Sequence, residues 1–273
     1  MLTIIIFSKD RPIQLDLAIK SIKKNIQIES DIKVIYGFSN LDFLRAYERL
    51  ACEYTDIQFL DDQANDFGWC VMNIAEKARE FIMFFPDDNI FYKKSTTTDL
   101  DLSKLFADSS IAALSLRLGR NIAGMRFSYK QSEITRIFGV HEVYHRMEYP
   151  ANSYWANPLS LDGHIFKKSV ISPIIKDIYK QKMLTHPNEL EKMLLRYFFE
   201  MPPFIAVEFH SCVVNSPNNR VQELVKNWFG RLFPVGKDEL LVEFIRGKRV
   251  SLEKLQFDVS NVYQEINILE GLE

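Results

Sequence analysis

The sequence predicts an α/β protein: a mostly parallel central sheet with helices on both faces, extended at the C-terminus by further helices. Two observations predict it. From Leu2 to Phe85, short runs of β-branched and aromatic residues alternate with amphipathic stretches at helical spacing, which is the pattern of βαβ units with right-handed crossovers. Within that series, Phe81-Ile82-Met83-Phe84-Phe85 has the length and aromatic content of a buried strand and stops at Pro86-Asp87-Asp88-Asn89. Two carboxylates and an amide therefore sit where a strand leaves the sheet, the edge at which such sheets bind ligands.

Each element has its own signal. Leu2 to Phe7 reads as the first strand, and Ile13 to Asn25 as a helix with Leu15, Ala18, Ile19, Ile22 and Ile26 on one face and Pro12 in its first turn. Lys33 to Phe38 is a second strand, closed by Gly37 to Asn40. Leu41 to Tyr54 is a second helix with Leu44, Tyr47 and Ala51 on a shared stripe, and Ile57 to Leu60 a third strand. A turn at Asp66-Phe67-Gly68 leads to a helix over Trp69 to Arg79 and then to the Phe81 strand. Beyond Asn89 the pattern loosens. Ile111 to Leu116 is a strand, Asn121 to Pro158 reads as hairpins or loops, and Ser169 to Lys180 and Asn188 to Glu200 read as helices. Phe204 to Phe209 is a strand, Ser216 to Asn219 a turn, and Val221 to Trp228 and Glu239 to Arg246 are amphipathic.

At 273 residues the chain is long enough for one full core, and 47% apolar with 26% charged residues is a globular composition. With a net charge of −2 and no dense Lys/Arg block, nucleic acid is not an expected partner. The opening Met1-Leu2-Thr3 lacks the basic start of a signal peptide, and no window nears the roughly 20 apolar residues of a membrane span. Cys52, Cys70 and Cys212 are odd in number and widely spaced, which fits neither a disulfide framework nor a zinc site. A cytoplasmic setting is expected, with buried inert thiols and with membrane association, if present, peripheral at the inner face.

Oxygen ligands clustered at Asp87, Asp88 and Asn89 without nearby Cys or His favour a hard cation, Mg²⁺ or Mn²⁺, and with it a phosphate-bearing substrate. The alternative is a solvated turn stabilised by Asx chemistry.

Three segments in order carry a resemblance: Phe7-Ser8-Lys9-Asp10-Arg11-Pro12, then Asp66-Phe67-Gly68-Trp69 running into the helix that ends near Ala78, then Phe84-Phe85-Pro86-Asp87-Asp88-Asn89. Over residues 1 to 215 the chain resembles GT-A glycosyltransferases of the family 2-like, nucleotide-sugar type, the last segment standing as the DxD motif. The resemblance implies a catalytic domain over 1–219, with a nucleotide-binding half at 1–116 and an acceptor half at 117–219, and a helical extension at 220–273. It implies a nucleotide-sugar donor and a glycan or glycolipid acceptor. Ser8, Asp10, Arg11, Asn40, Asp62, Trp69 and Asp87 would bind the nucleotide, and Asp87, Asp88, Asn89 and His210 the metal. Either Asp88 or Asn89 could be the principal metal contact, and Arg11 could serve phosphate or pair with Asp10. Asn40 stands where family members often carry an acid that reads the base, so the nucleotide is open. Trp155, Asp162, Gly163 and His164 would meet donor sugar and acceptor, Trp155 alternatively being a core residue.

An inverting transfer needs a carboxylate to deprotonate the acceptor hydroxyl. Glu189 and Glu191 open a predicted helix, and lying two apart they diverge, so one alone can point inward. Arg220 is expected near phosphate or a carboxylate, and His141 and His145 are expected to be structural. Two rivals stand beside this reading. A nucleotidyltransferase would need a Gly-rich basic loop, and Ser8 to Pro12 has no glycine. A degenerate GT-A-like module would bind nucleotide or sugar without turnover.

Overall fold

The computed structural model describes residues 1–123, 130, 133–219 and 232–273. Arg220 and the predicted helix Val221 to Trp228 lie outside the described residues. The first half follows the expected order: β1 (Leu2–Lys9), α1 (Pro12–Asn25), β2 (Ser30–Gly37), α2 (Leu41–Glu53), β3 (Gln58–Asp61), α3 (Phe67–Lys77) and β4 (Phe81–Pro86). Then come β5 (Asn89–Phe91), α4 (Asp99–Leu105), β6 (Ile111–Ser115), β7 (Ile134–Phe138), β8 (His141–His145), β9 (His164–Lys167), α5 (Lys168–Gln181), α6 (Pro187–Leu194), β10 (Phe204–Glu208), β11 (Val213–Asn215) and α7 (Lys237–Ile245).

Nine strands form one sheet in the order β3-β2-β1-β4-β9-β6-β10-β8-β7, and β5 pairs with β11 in a small second sheet. The pairs β1–β2, β1–β4, β2–β3 and β6–β10 are parallel; β9 runs antiparallel between β4 and β6, and the β7–β8 hairpin closes one edge. The alternation along β1 shows why the sheet is buried on both sides. Ile4 and Ile6 share a core with Leu15, Ile19 and Ile22 of α1, Phe43 of α2 and Leu240 of α7, whereas Ile5 and Phe7 meet Val71 and Ile74 of α3, Ile175 of α5 and Leu190 of α6. The expected mostly parallel sheet with helices on both faces is what forms.

Several departures bear on the site. Antiparallel β9 (His164–Lys167) was not among the expected strands. It begins after Gly163 at φ 70°, whose N–H donates to the Phe84 carbonyl at 3.0 Å while its own carbonyl accepts from Leu116 N; glycine supplies the positive φ there. The helix predicted over Asn188 to Glu200 is α-helical to Leu194 and continues as a 3-10 turn over Leu195–Glu200. In the described C-terminal part α7 is followed by 3-10 turns at Leu252–Lys254 and Ile268–Gly271, with non-helical chain between them. Cys70 and Cys212 are buried, but Cys52 is exposed, a correction to the expectation of three buried thiols. Among the described residues no helix is long and apolar enough to cross a membrane.

Candidate active site

The register of β1 against β4 sets Phe7 beside Pro86, so the residues that follow each strand emerge together. Asp87 is buried, and both its carboxylate oxygens are used: Ser8 Oγ donates to Oδ2 at 2.7 Å and Arg11 Nη1 to Oδ1 at 2.9 Å. The same Nη1 reaches Asp88 Oδ2 at 3.4 Å, and Arg11 Nη2 donates to the Asn219 carbonyl. Tyr47 of α2 fixes the turn from below, its hydroxyl accepting from Arg11 N at 3.0 Å and lying 2.7 Å from Ser8 Oγ. Asp10 takes φ 53°, the non-glycine residue with positive φ among the described residues. Its carboxylate accepts from Ser39 N at 2.7 Å and pairs with Lys237 Nζ of α7 at 2.6 Å.

A second group joins the first through amides. Asn215, at the end of β11, donates through Nδ2 to Asp88 Oδ1 and to Asn89 Oδ1, each at 2.9 Å. Asn89 Nδ2 in turn donates to Asp162 Oδ1 at 3.3 Å, and Arg117 Nη1 donates to Asp162 Oδ2. Asp87, Asp88, Asn89 and Asp162 are thus linked in one hydrogen-bonded chain along the sheet edge. Glu191, half-buried on α6, feels Asp162 and Arg117 as the charged neighbours of its carboxylate.

The electrostatics follow from this crowding. Burial raises the Asp87 carboxyl against the pull of Arg11. Burial, with Asp87 and Asp162 adding to it against Arg11, pushes Asp88 up to about 6. Burial and then Asp162 raise Glu191 to about 7, with Arg117 opposing. Glu189 goes the other way, down to about 2, because Lys182 and Thr185 bind its carboxylate. Burial works against the charge on Arg11, but Asp87 and Asp88 keep it firmly protonated.

The two helix-opening glutamates are therefore unlike. Glu189 accepts from Thr185 N and Oγ1 at 3.0 and 2.9 Å and pairs with Lys182 in the first turn of α6; Glu191 is the one turned to the polar chain. Of the other predicted site residues, Ser8, Asp10 and Arg11 cluster with Asp87. Asp62 follows β3 and lies against the end of β2, where a Cβ on Gly37 would stand 2.8 Å from its Oδ1, and burial followed by Asp61 raises it to about 6. Asn40 is exposed and caps α2, accepting from Asp42 N and Phe43 N. Trp69 is 38% exposed in the first turn of α3. Trp155 is 1% exposed, stacked on Tyr149 and edge-on to Tyr144, so it belongs to the core and offers no open face to a sugar. His164 is buried against the Pro158 carbonyl, and desolvation lowers it to about 4, leaving it neutral. His210 is exposed after β10 and hydrogen-bonds to none of these groups.

The amide of Asn89 is spent on Asp162 and Asn215, which leaves Asp88 as the predicted metal residue with carboxylate surface, 16% exposed. Among the described residues no three His, Cys, Asp or Glu side chains gather as a metal site. The donor set still fits a shared cation. Asp88 has a hard oxygen beside the buried Asn215, whose Oδ1 has no hydrogen-bond partner, and Mg²⁺ commonly takes one or two protein carboxylates with the rest from phosphate and water.

Tyr47, Arg117 and Asn215 were not anticipated. Arg117 could have been, since it follows the apolar run Ile111 to Leu116 as Asp87 follows Phe81 to Phe85; the others are recognisable only from partners distant in sequence.

No protein-family model matches the chain, and no curated protein matches it in sequence. Among solved structures it is similar to TarS (residues 1-349) of S. aureus in complex with UDP-GlcNAc, at 14% identity over 81% of this chain and 59% of that one, with a TM-score of 0.49. It is also similar to the mannosyltransferase PcManGT of Pyrobaculum calidifontis in complex with GDP-Man and Mn²⁺, at 15% identity over 44% and 39%, TM-score 0.32. A third is 4-diphosphocytidyl-2C-methyl-D-erythritol synthase of Anaerococcus prevotii, at 11% identity over 76% and 86%, TM-score 0.40. The chain spans about three-fifths of the length of the TarS structure. The fold itself, a mostly parallel sheet with helices on both faces, rests on the strand order described above.

Proposed function

We propose that the chain is a metal-dependent, inverting glycosyltransferase that moves a sugar from a nucleotide-sugar donor to a hydroxyl of a glycan or glycolipid acceptor. The observation that carries this reading is the chain of hydrogen bonds from Asp87 and Asp88 through Asn215 and Asn89 to Asp162, with Glu191 near its far end and its carboxyl raised to about 7 by burial and Asp162. A group with that pKa is well matched to accept a proton from an acceptor hydroxyl near neutral pH. Asp87 is already saturated, so in this reading it positions Ser8 and Arg11, and Arg11 supplies positive charge to the donor diphosphate. Ser8, Asp10 and Asp62 line the nucleotide side and Asp162 meets sugar hydroxyls. Asp88, with Asn215 beside it, would hold Mg²⁺ or Mn²⁺, which when bound supplies Lewis-acid stabilisation of the departing diphosphate. The halves divide as 1–116 for the donor and 117–219 for the acceptor, with 220–273 as the extension. A glycolipid acceptor would place the chain at the inner face of a cytoplasmic membrane.

The test is a thermal-shift series with UDP, GDP, dTDP, CDP and CMP, each with and without Mn²⁺, followed by donor hydrolysis. A ligand that binds the native state raises its melting temperature by mass action. One diphosphate that stabilises only with metal, and whose sugar is then hydrolysed, is the expected result; no shift with any of them overturns the reading. Arg11 already pairs with both Asp87 and Asp88, which favours a second reading, a binding module that takes nucleotide without turnover. A shift without hydrolysis or transfer selects it.

A further inference from the structure

Tyr263 lies in the C-terminal segment, yet it meets the polar chain twice, beside Asn215 and at Arg117. Its backbone is knitted to the strand end that carries Asn215: Asn215 N donates to the Val262 carbonyl and Gln264 N to the Asn215 carbonyl, each at 3.0 Å, in a parallel bridge between Asn215 and Tyr263. Ala123 N also donates to the Ser260 carbonyl at 3.0 Å, and Ile266 N to Ser216 Oγ at 3.3 Å. Its ring meets the guanidinium of Arg117 at 4.7 Å, and the ring of Tyr154 meets the same guanidinium at 5.0 Å. The Tyr154 hydroxyl donates to that of Tyr263 at 3.0 Å, tying the two rings together.

Arg117 is 2% exposed. Its Nη1 is bound to Asp162, and on the side of Nε and Nη2 the cation is faced by the ring and hydroxyl of Tyr263 and by the ring of Tyr154. We infer that the segment around Tyr263 is a strap that completes the acceptor side of the site, with Tyr263 and Arg117 as positioning residues for Asp162 and Glu191. This rests on the reading of Asp162 and Glu191 as acceptor-side groups. The charges that face Glu191 are Asp162, ahead of β9, and Arg117, beyond β6; on its own helix Glu189 is engaged by Lys182, and Lys192 is exposed. Withdrawing the Tyr263 ring frees Arg117 from its seat, weakens the hold on Asp162 and removes positive charge from the neighbourhood of Glu191. The Glu191 carboxyl then holds its proton to higher pH.

The experiment compares the full chain with Tyr263→Ala, Tyr263→Leu and Tyr263→Phe by three readouts: nucleotide-induced thermal shift, KM and kcat for transfer, and the carboxyl ¹³C NMR titration of Glu191. In the Ala and Leu variants we expect kcat to fall by about tenfold or more, the rate equivalent of a desolvated cation–π contact, with donor KM unchanged and the Glu191 midpoint moved upward. Phe keeps the ring and loses only the hydroxyl contacts to Tyr154 and Arg117, so it should recover most of both. Leu fills the space without a ring, so it decides the matter if Ala fails to fold. An unmoved Glu191 midpoint in the Leu variant overturns the strap, as does a loss of donor binding equal to the loss of kcat. If the wild type neither binds nucleotide nor transfers sugar, the proposed function fails, and the NMR titration still judges the strap.

Discussion

At the Asp87 end of the site the groups come from neighbouring strands in register, with Ser8 one residue beyond the Phe7–Pro86 pair and Arg11 at the N-cap of the helix that follows. At the Asp162 end they come from four places: the turn after β6, the loop before β9, the helix α6 and the C-terminal segment. The cations differ in the same way. Arg11 is held by two carboxylates and the Asn219 carbonyl, whereas Arg117 is held by one carboxylate and two aromatic residues. Backbone register therefore fixes one end and side-chain packing the other. A substitution at the first end should be felt as lost stability or lost donor chemistry, and one at the second as a change in titration and acceptor rate.

The sharpest way to break this contrast is Asp88→Ala, expected to abolish transfer while leaving the melting temperature near that of wild type; full activity would remove Asp88 from the donor site. Next in size, Glu191→Gln should cost about 10²- to 10⁴-fold in transfer rate with donor binding retained, whereas Glu189→Gln, which breaks only the contacts to Lys182 and Thr185, should leave the rate within about threefold. A rate profile that rises with pH through about 7 should disappear in the Glu191 variant. Stability runs in the opposite sense. The folded protein holds the Glu191 proton more tightly than the unfolded chain, so this contribution is full below pH 4.5 and is lost as pH rises to about 7, on the order of 3 kcal/mol in all. Denaturant melts of wild type and Glu191→Gln between pH 4.5 and 7.5 measure it as the difference in slope.

Arg11→Met leaves Asp87 and Asp88 without a counter-charge and should destabilise the fold by roughly 3 kcal/mol in urea unfolding. An unchanged midpoint would show that the Asp87 end does not depend on its cation. A smaller effect is expected for Lys237→Met, which removes the partly exposed partner of the buried Asp10 carboxylate while Ser39 N still donates to it, and should cost about 1–2 kcal/mol.

The regular end was the legible one. Alternating apolar runs placed β1 to β4, and a strand that stops at carboxylates placed Asp87 and Asp88. The other end was readable only in parts, for physical reasons. Trp155 and a platform tryptophan look alike in sequence because burial decides between them, and burial depends on Tyr144 and Tyr149 arriving from elsewhere. Glu189 and Glu191 were separable only once Lys182 and Thr185 had claimed the first. Asn40 and Asn89 carry amides whose partners, a helix start in one case and Asp162 with Asn215 in the other, are set by tertiary structure. Asn215 and Tyr263 had no local pattern at all, since what matters about them is whom they meet.

The insertion of β9 between β4 and β6 also has a consequence for the chain as it is made. Strand β4, the apolar Phe81 to Phe85, pairs with β1 on one side as soon as both exist, but its other edge is paired by residues 165 to 167. During synthesis some eighty residues must leave the ribosome before that edge is covered, a matter of several seconds at about 5–20 residues per second. Through that interval a row of open backbone groups flanked by phenylalanines is available to any passing strand. The longest-exposed edge of the central sheet's apolar strand is thus the one whose end carries Asp87 and Asp88.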